Sequence, residues 1–114
     1  MDVDKLYAFV ETPIFTKQVE RYGSMDLLLA IQADLLADPT RGDVIKGTHG
    51  ARKARVGDPA DKRGKRGSYR YIYVFLEHRG RIHLLFLYSK DRQADLSAEQ
   101  VRMFAEMVGT IKGK

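Results

Sequence analysis

The chain has 114 residues, a length typical of one domain, and 44% of them are hydrophobic, enough to form a core. It contains no cysteine, which excludes disulfide bonds and thiolate metal sites. Lys and Arg outnumber Asp and Glu by 20 to 15, a net charge of +5, which favours a polyanionic partner such as nucleic acid. No stretch resembles a signal peptide or a membrane span, so we expect a single cytoplasmic domain over residues 1–114, without a membrane partner.

The first third of the chain predicts one strand and two helices. Residues 6–10 form a short apolar run that is typical of a buried strand. A Thr-Pro pair then favours a helix over residues 13–22 that stops at Gly23. Ser24 can cap a second helix, which ends before Pro39. The buried side of that helix is expected to contain Leu28, Ile31 and Leu35, widened by Leu27, Leu29 and Leu36.

Positive charge is concentrated between residues 46 and 70. Nine Lys and Arg but only two acidic residues fall there, a charge of +7, and the rest of the chain has 11 basic and 13 acidic residues, or −2. Val44 and Ile45 mark the start of an edge strand, and residues 51–56 are expected to form a strand. Residues 57–68 contain three Gly, one Pro and four basic residues, so they are expected to form an exposed, mobile loop.

Residues 69–77 and 81–88 predict a β-hairpin. Alternation places the residues at 70, 72, 74 and 76 on one face and the aromatic residues at 69, 71, 73 and 75 on the other. A two-residue loop would set Arg70 opposite Ser89, whereas a three-residue loop over 78–80 sets it opposite Tyr88. We favour the longer loop, because Gly80 can supply its left-handed position. Arg70 and Tyr88 are therefore expected to lie side by side at one end of the sheet.

The last helix has the clearest start signal. Ser97 and Gln100 form a capping box, flanked by a possible hydrophobic staple between Leu96 and Val101. Its buried face is expected to contain Val101, Phe104, Ala105 and Val108. The fold class is thus α+β with the order β-α-α-β-β-β-α: a small, antiparallel-rich sheet with two N-terminal helices and a C-terminal helix. We expect the helices on one side of the sheet and the other face partly open.

An Arg beside a Tyr, surrounded by further cations, suits an RNA phosphodiester. A guanidinium holds a phosphate with two parallel hydrogen bonds, and Tyr can stack on a base or exchange a proton if nearby cations lower its pKa. Cleavage through the ribose 2′-hydroxyl needs a proton acceptor, a proton donor and charge stabilisation, but no metal. The chain's histidines at 49, 78 and 83 lack ligand spacing, so no metal and no other cofactor is expected.

These residues resemble the RelE/HigB type of bacterial toxin, within the RelE/ParE superfamily of type II toxin–antitoxin systems. The resemblance runs from residue 45 to residue 108, and the two preceding helices fit the same order. It is carried by residues 46–55 (KGTHGARKAR), 64–67 (GKRG), 69–73 (YRYIY), 84–90 (LLFLYSK) and 95–97 (DLS). It implies a small toxin that enters the ribosomal A site, cuts translated mRNA and is neutralised by a cognate antitoxin.

The resemblance also implies roles for particular residues. Its catalytic positions correspond to Arg52, Lys53, Arg55, Arg70, Tyr88 and Lys90. Lys65 and Arg66 match its basic loop, which holds ribosomal RNA, and we expect Lys46, His49, Lys62 and Arg63 to bind RNA as well. His49 stands where the similar toxins have glycine, and it either adds an acid/base group or is a tolerated turn residue.

Two other functions remain open from the sequence. The same basic face would serve a non-enzymatic RNA- or ribosome-binding domain. A gyrase-poisoning toxin of the ParE branch would use the same scaffold, although it has no need for a set of residues that cleaves phosphodiesters. Replacement of Arg70 and Tyr88 separates cleavage from simple binding.

Overall fold

The computed structural model describes residues 6–22, 24–57, 59 and 69–113. The elements in chain order are β1 (Ala8–Glu11), α1 (Pro13–Tyr22), α2 (Met25–Ala37), β2 (Asp43–Val44), β3 (Arg52–Val56), β4 (Tyr69–Leu76), β5 (Arg81–Ser89) and α3 (Ala98–Lys112). The predicted cap at Gly23 and the expected mobile loop, except for Gly57 and Pro59, lie outside the described residues.

The strands form one five-stranded sheet in the order β1-β5-β4-β3-β2. β1 pairs with β5 in parallel, and the other neighbours are antiparallel. This confirms the α+β class, and the predicted order β-α-α-β-β-β-α is observed with one further strand, the two-residue β2 at Val44, where the sequence indicated the start of an edge strand. β5 and β4 lie inside the sheet and contribute about half of the buried hydrophobic residues in the described part of the chain.

Helices cover both faces of the sheet, so the prediction of helices on one side is wrong. α1 and α2 pack against the face that contains Tyr71 and Tyr73. α3 packs its Phe104 and Val108 against the opposite face, around Ile72. The physical reason is the composition of β4, whose two alternating rows are both apolar and therefore both need cover.

Two predictions of burial are also corrected. β1 is an edge strand that is partly exposed, and Leu6 lies before it with 83% of its surface exposed. In α2, Leu29 and Leu36 are each 53% exposed, whereas the inner leucines and Ile31 are buried as expected. A helix of this width can turn only part of its surface toward one sheet, so its outer leucines remain at the surface.

In the hairpin between β4 and β5, Arg70 pairs with Tyr88 as predicted, but the loop length differs from the prediction and a bulge compensates for the difference. Leu76 faces Arg81, so the loop has one more residue than predicted, although Gly80 does adopt the left-handed conformation, with φ 63°. A β-bulge at Leu85 then shifts the register, and Arg70 faces Tyr88 as expected. The turn and the bulge each add one residue, on opposite strands, and their effects on the register cancel.

The helix starts agree with the sequence. The Thr12 hydroxyl accepts from the Phe15 N–H at 3.0 Å, and the Ser24 hydroxyl accepts from the Leu27 N–H at 2.9 Å. The capping box of Ser97 with Gln100 is complete. None of the helices in the described part of the chain has the length and apolar character needed to cross a bilayer.

Candidate functional site

The register of β3, β4 and β5 brings basic side chains together on the α3 face of the sheet. Directly opposite residues in an antiparallel ladder project to the same face. Lys53 faces Ile72, which belongs to the core under α3, and Arg55 faces Arg70. Arg70 in turn faces Tyr88. Lys53, Arg55 and Arg70 therefore share one surface near the ends of these strands.

These three cations line a cleft of about 330 Å³. Its lining consists of Asp43, Lys53, Ala54, Arg55, Arg70, Ala94 and Asp95. The Lys53 ammonium lies 3.7 Å from Asp95 Oδ1. Three cations and two carboxylates leave a formal excess of one positive charge among these residues, so the cleft can accept a phosphodiester and also offers it a proton acceptor.

Tyr88 lies beside Arg70, as the sequence predicted, but it belongs to the core beneath α3. Its surface is only 4% exposed, and its ring centroid lies 6.2 Å from that of Phe86. Burial raises the pKa of Tyr88, the charge of Asp95 adds to that effect, and Arg70 opposes it. The condition for proton exchange by Tyr88, a pKa lowered by nearby cations, is not met, because desolvation of the phenolate outweighs the effect of Arg70.

Arg52 lies on the opposite face from Lys53, so the structure does not bring it to the cleft. Its guanidinium donates to the carbonyl oxygens of Thr40, at 3.1 Å, and Gly42, at 2.7 Å. Tyr73 braces the same turn, because its hydroxyl donates to the Pro39 carbonyl at 2.8 Å. Arg52 thus holds the segment between α2 and β2 against the sheet.

The other predicted residues are dispersed. Lys90 is exposed in the turn after β5, at the same end of the sheet as Tyr88. Lys46 and His49 are exposed in the loop between β2 and β3. The four basic residues of the expected RNA-holding loop lie outside the described residues: Lys62, Arg63, Lys65 and Arg66.

His49 is a turn residue at the far end of the sheet. It has a φ of 62°, and its carbonyl accepts from Lys112 Nζ at 2.6 Å, next to the end of α3. The cleft lies near the start of α3, because Asp95 precedes that helix by a few residues. At 1.5 Å per residue, the two ends of α3 are roughly 20 Å apart, so His49 is not part of the cleft.

Asp43 and Asp95 are the cleft residues that the sequence did not identify. Functional residues were sought among the basic residues of the sequence, and a single acidic residue near a turn does not by itself indicate a functional site. The capping box of α3 was the one available signal for the position of Asp95. It begins at Ser97, two residues after Asp95, so Asp95 lies next to a well-defined helix start. The described residues contain no group of three or more His, Asp or Glu side chains that could hold a metal ion.

Two solved structures of a bacterial toxin share this architecture. A double arginine-to-alanine mutant of the E. coli toxin RelE in the free state matches with a TM-score of 0.59 and 14% identity, over 90% of this chain and 96% of that one. The isolated E. coli RelE toxin matches with a TM-score of 0.55 and 17% identity, over 92% and 98%. The chain has the RelE-like fold. No protein-family model matches the sequence.

The RelE-like architecture accounts for where the cleft lies. It sets β3, β4 and β5 side by side, with α3 crossing one face of their sheet. The turn before α3 then passes over the strands and adds Ala94 and Asp95 to the cleft. The two RelE structures share only 14–17% of their sequence with this chain, so they establish a common fold and not a common chemistry. The chemistry of the cleft is therefore argued from the side chains of this chain.

Proposed function

We propose that this RelE-like chain is a ribosome-dependent mRNA endonuclease, the toxin of a toxin–antitoxin pair. It would act in the cytoplasm on translated mRNA in the ribosomal A site. The observation that carries the proposal is the cleft in which Lys53, Arg55 and Arg70 converge with Asp95. The similarity to E. coli RelE toxin structures supports it.

The cleft has the groups that metal-independent RNA cleavage requires. Arg55 and Arg70 face one another across neighbouring strands, so two guanidinium groups can hold one phosphodiester. They would stabilise the extra negative charge on phosphorus when the 2′-oxygen attacks, which is the largest electrostatic demand of the reaction. Lys53 adds a third positive charge and a proton donor. Tyr88 supports Arg70 from the core and remains a neutral phenol.

The proposal includes a cognate antitoxin, and the charges of the cleft indicate the chemistry of its binding surface. A protein that covers the cleft must offset Lys53, Arg55 and Arg70, so we expect it to present carboxylates there. The resulting ion pairs would make association faster at low salt than at high salt.

Inducible expression with mapping of 5′ ends on cellular transcripts tests the proposal. The wild-type chain is expected to stop growth and produce new mRNA ends inside translated reading frames. The double variant Lys53→Ala/Arg70→Ala should lose these ends, because the phosphate loses two of its three cations. Arg52→Gln is the matched control: it removes a positive charge one residue from Lys53, on the opposite face, and should retain the cuts.

The two alternative functions predict different results from the same experiment. If the chain only binds ribosomes, translation arrest occurs without new mRNA ends and survives loss of Lys53 and Arg70. If it poisons gyrase, induction raises a DNA-damage response while mRNA stays intact. Growth without any effect of wild-type expression would contradict the toxin proposal.

A further inference from the structure

RNA cleavage in the cleft needs a group that takes the proton of the 2′-hydroxyl. Lys and Arg side chains carry their protons at neutral pH, so the three cations of the cleft are donors and charge stabilisers. Tyr88 does not line the cleft, and burial, together with the charge of Asp95, raises its pKa against the opposing effect of Arg70. Among the lining residues that the structure describes, the remaining side-chain acceptors are the carboxylates of Asp43 and Asp95.

The position of Asp95 distinguishes it from Asp43. Asp95 Oδ1 lies 3.7 Å from Lys53 Nζ, and its charge acts on Tyr88, the neighbour of Arg70. It therefore lines the cleft beside Lys53 of β3 and close enough to Tyr88 of β5 for its charge to act there. Its side chain is 82% exposed, so a substrate can reach it. Asp43 faces Lys53 from the short edge strand and has no such effect on Tyr88.

Asp95 is held in a defined orientation. The Leu96 N–H donates to Oδ1 at 2.8 Å, and the Gln93 side-chain amide donates to the Asp95 carbonyl at 2.8 Å. Gln93 also contacts the side chain of Gln100, which completes the capping box of α3. Oδ2 has no hydrogen-bond partner within the described ranges of the chain. One carboxylate oxygen is thus fixed by the helix start, and Oδ2 remains accessible to a substrate because the side chain is largely exposed.

We propose that Asp95 is the general base of this site, an inference that rests on the proposed function. Its Oδ2 accepts the proton of the ribose 2′-hydroxyl while the 2′-oxygen forms a bond to phosphorus and the bond from phosphorus to the 5′-oxygen breaks. The leaving 5′-oxygen takes a proton from the Lys53 ammonium. The products are a 2′,3′-cyclic phosphate and a 5′-hydroxyl. The proton then returns from Asp95 to Lys53, its neighbour at 3.7 Å.

The charges around Asp95 determine how its variants behave with pH. The titratable and charged groups that line the two cavities beside Asp95 or act on its neighbour Tyr88, among the described residues, are Asp43 on β2, Lys53 and Arg55 on β3, Arg70 on β4, Tyr88 on β5, Arg92 on the preceding turn, and Glu99, Arg102 and Glu106 on α3. A carboxylate base must be unprotonated to act, so the cleavage rate should fall at acidic pH. This fall is the acidic limb of the pH–rate profile. If a variant of Asp95 no longer shows the limb, Asp95 is the base responsible for it.

Single-turnover cleavage of mRNA on programmed ribosomes, measured from acidic to neutral pH, is the test. Asp95→Asn keeps an oxygen that can accept from the Leu96 N–H, so the turn is expected to remain folded, as checked by circular dichroism. We expect its rate at neutral pH to fall about 100-fold or more, the usual contribution of a general base, with loss of the acidic limb. Asp95→Glu should keep the limb at a reduced rate, and the control Glu20→Gln, an exposed carboxylate on α1 across the sheet from the cleft, should stay within about threefold of wild type.

The outcomes separate this inference from the proposed function. Wild-type cleavage with an Asp95→Asn rate within about threefold would overturn the assignment and leave the endonuclease proposal intact. A slower Asp95→Asn variant that keeps the acidic limb would also overturn it, because Asp95 would then only position Lys53. Absence of cleavage by wild type on programmed ribosomes contradicts both.

Discussion

At the scale of single residues, neighbouring positions in β3 have separate tasks. Lys53 lines the cleft, whereas Arg52 donates to two carbonyl oxygens on the other face. Strand alternation is the cause, since adjacent side chains point to opposite faces of a sheet. A basic run in the sequence is therefore not a single functional surface.

Tyr88 offers a test of protonation at the site. Because burial raises its pKa above the usual value near 10, its phenol stays protonated over roughly pH 5–9 and cannot produce a limb in the rate profile there. We expect Tyr88→Phe to lower the cleavage rate by the same factor at every pH in that range. Parallel pH–rate profiles of wild type and variant check this. A limb that disappears in Tyr88→Phe would show that the phenol does titrate.

The buried phenol of Tyr71 should make the free energy of unfolding depend on pH in the alkaline range. Burial raises its pKa to about 12, opposed by the Arg41 guanidinium, which donates to its hydroxyl at 2.8 Å. The unfolded chain releases this proton near pH 10, so the stabilisation is complete below pH 10 and is lost as the pH rises toward 12. The loss corresponds to roughly 2–3 kcal/mol.

Urea denaturation at several pH values between about 9 and 12 measures this effect. The variant Tyr71→Phe has no phenol at this position and should show a shallower decline than wild type. A control at a partly exposed ring, Tyr7→Phe, should follow the wild-type curve. Equal slopes for wild type and Tyr71→Phe would contradict the assignment.

At the scale of elements, the bulge in β5 determines which residue of β5 lies opposite Arg70. The Thr12 hydroxyl donates to the Leu85 carbonyl at 2.9 Å, and the Thr12 N–H donates to the Leu84 carbonyl at 3.0 Å. The residue that caps α1 thus also fixes the carbonyl groups at the bulge. Without that bulge Arg70 would not face Tyr88, so the start of α1 sets the register of the hairpin end.

The variant Thr12→Val tests this double role. It removes the bond to Leu85 and the cap on the Phe15 N–H while keeping a similar shape, so we expect the free energy of unfolding to fall by about 1–3 kcal/mol. Thr16→Val is the matched control, because the Thr16 hydroxyl bonds only the exposed Glu11 side chain and should matter by about 0.5 kcal/mol or less. Equal destabilisation of the two variants in urea would contradict the proposed role of Thr12.

At the scale of the whole molecule, the proposed function assigns the basic residues two tasks, holding RNA and cutting it. The cleft contains three cations, and four more basic residues follow in the segment 62–66. Charges that only hold phosphate contribute to the salt dependence of binding, while charges in the cleft also act on the reacting phosphate. The two groups should therefore be separable by experiment.

Binding of a single-stranded RNA at several salt concentrations measures the first group. For single strands the slope of log affinity against log salt is about −0.7 per phosphate contact, so Lys65→Gln/Arg66→Gln should reduce its magnitude by about 1.4. Cleavage at saturating RNA should stay close to wild type. The control Lys17→Gln/Arg21→Gln on α1, across the sheet from the cleft, should leave the slope unchanged. A slope unaffected by the first pair would contradict the role of that segment.

The sequence alone determined what depends on neighbouring residues. Caps at Thr12, Ser24 and Ser97 gave the helix starts, because an unsatisfied helix N–H is paired by a side chain only a few positions away. Alternation gave the two faces of β4, and Gly80 gave the left-handed turn position. The pairing of Arg70 with Tyr88 was also correct, although the loop length behind it was not.

Only the tertiary structure decided what depends on distant residues. α3 covers the second face of the sheet because both rows of β4 are apolar, and Thr12 fixes a bulge 73 residues away. Tyr88 lies in the core, where desolvation raises its pKa. Asp95 reaches Lys53 because the turn before α3 crosses the strands. Burial and electrostatic pairing are properties of the assembled sheet, and local sequence spacing does not contain them.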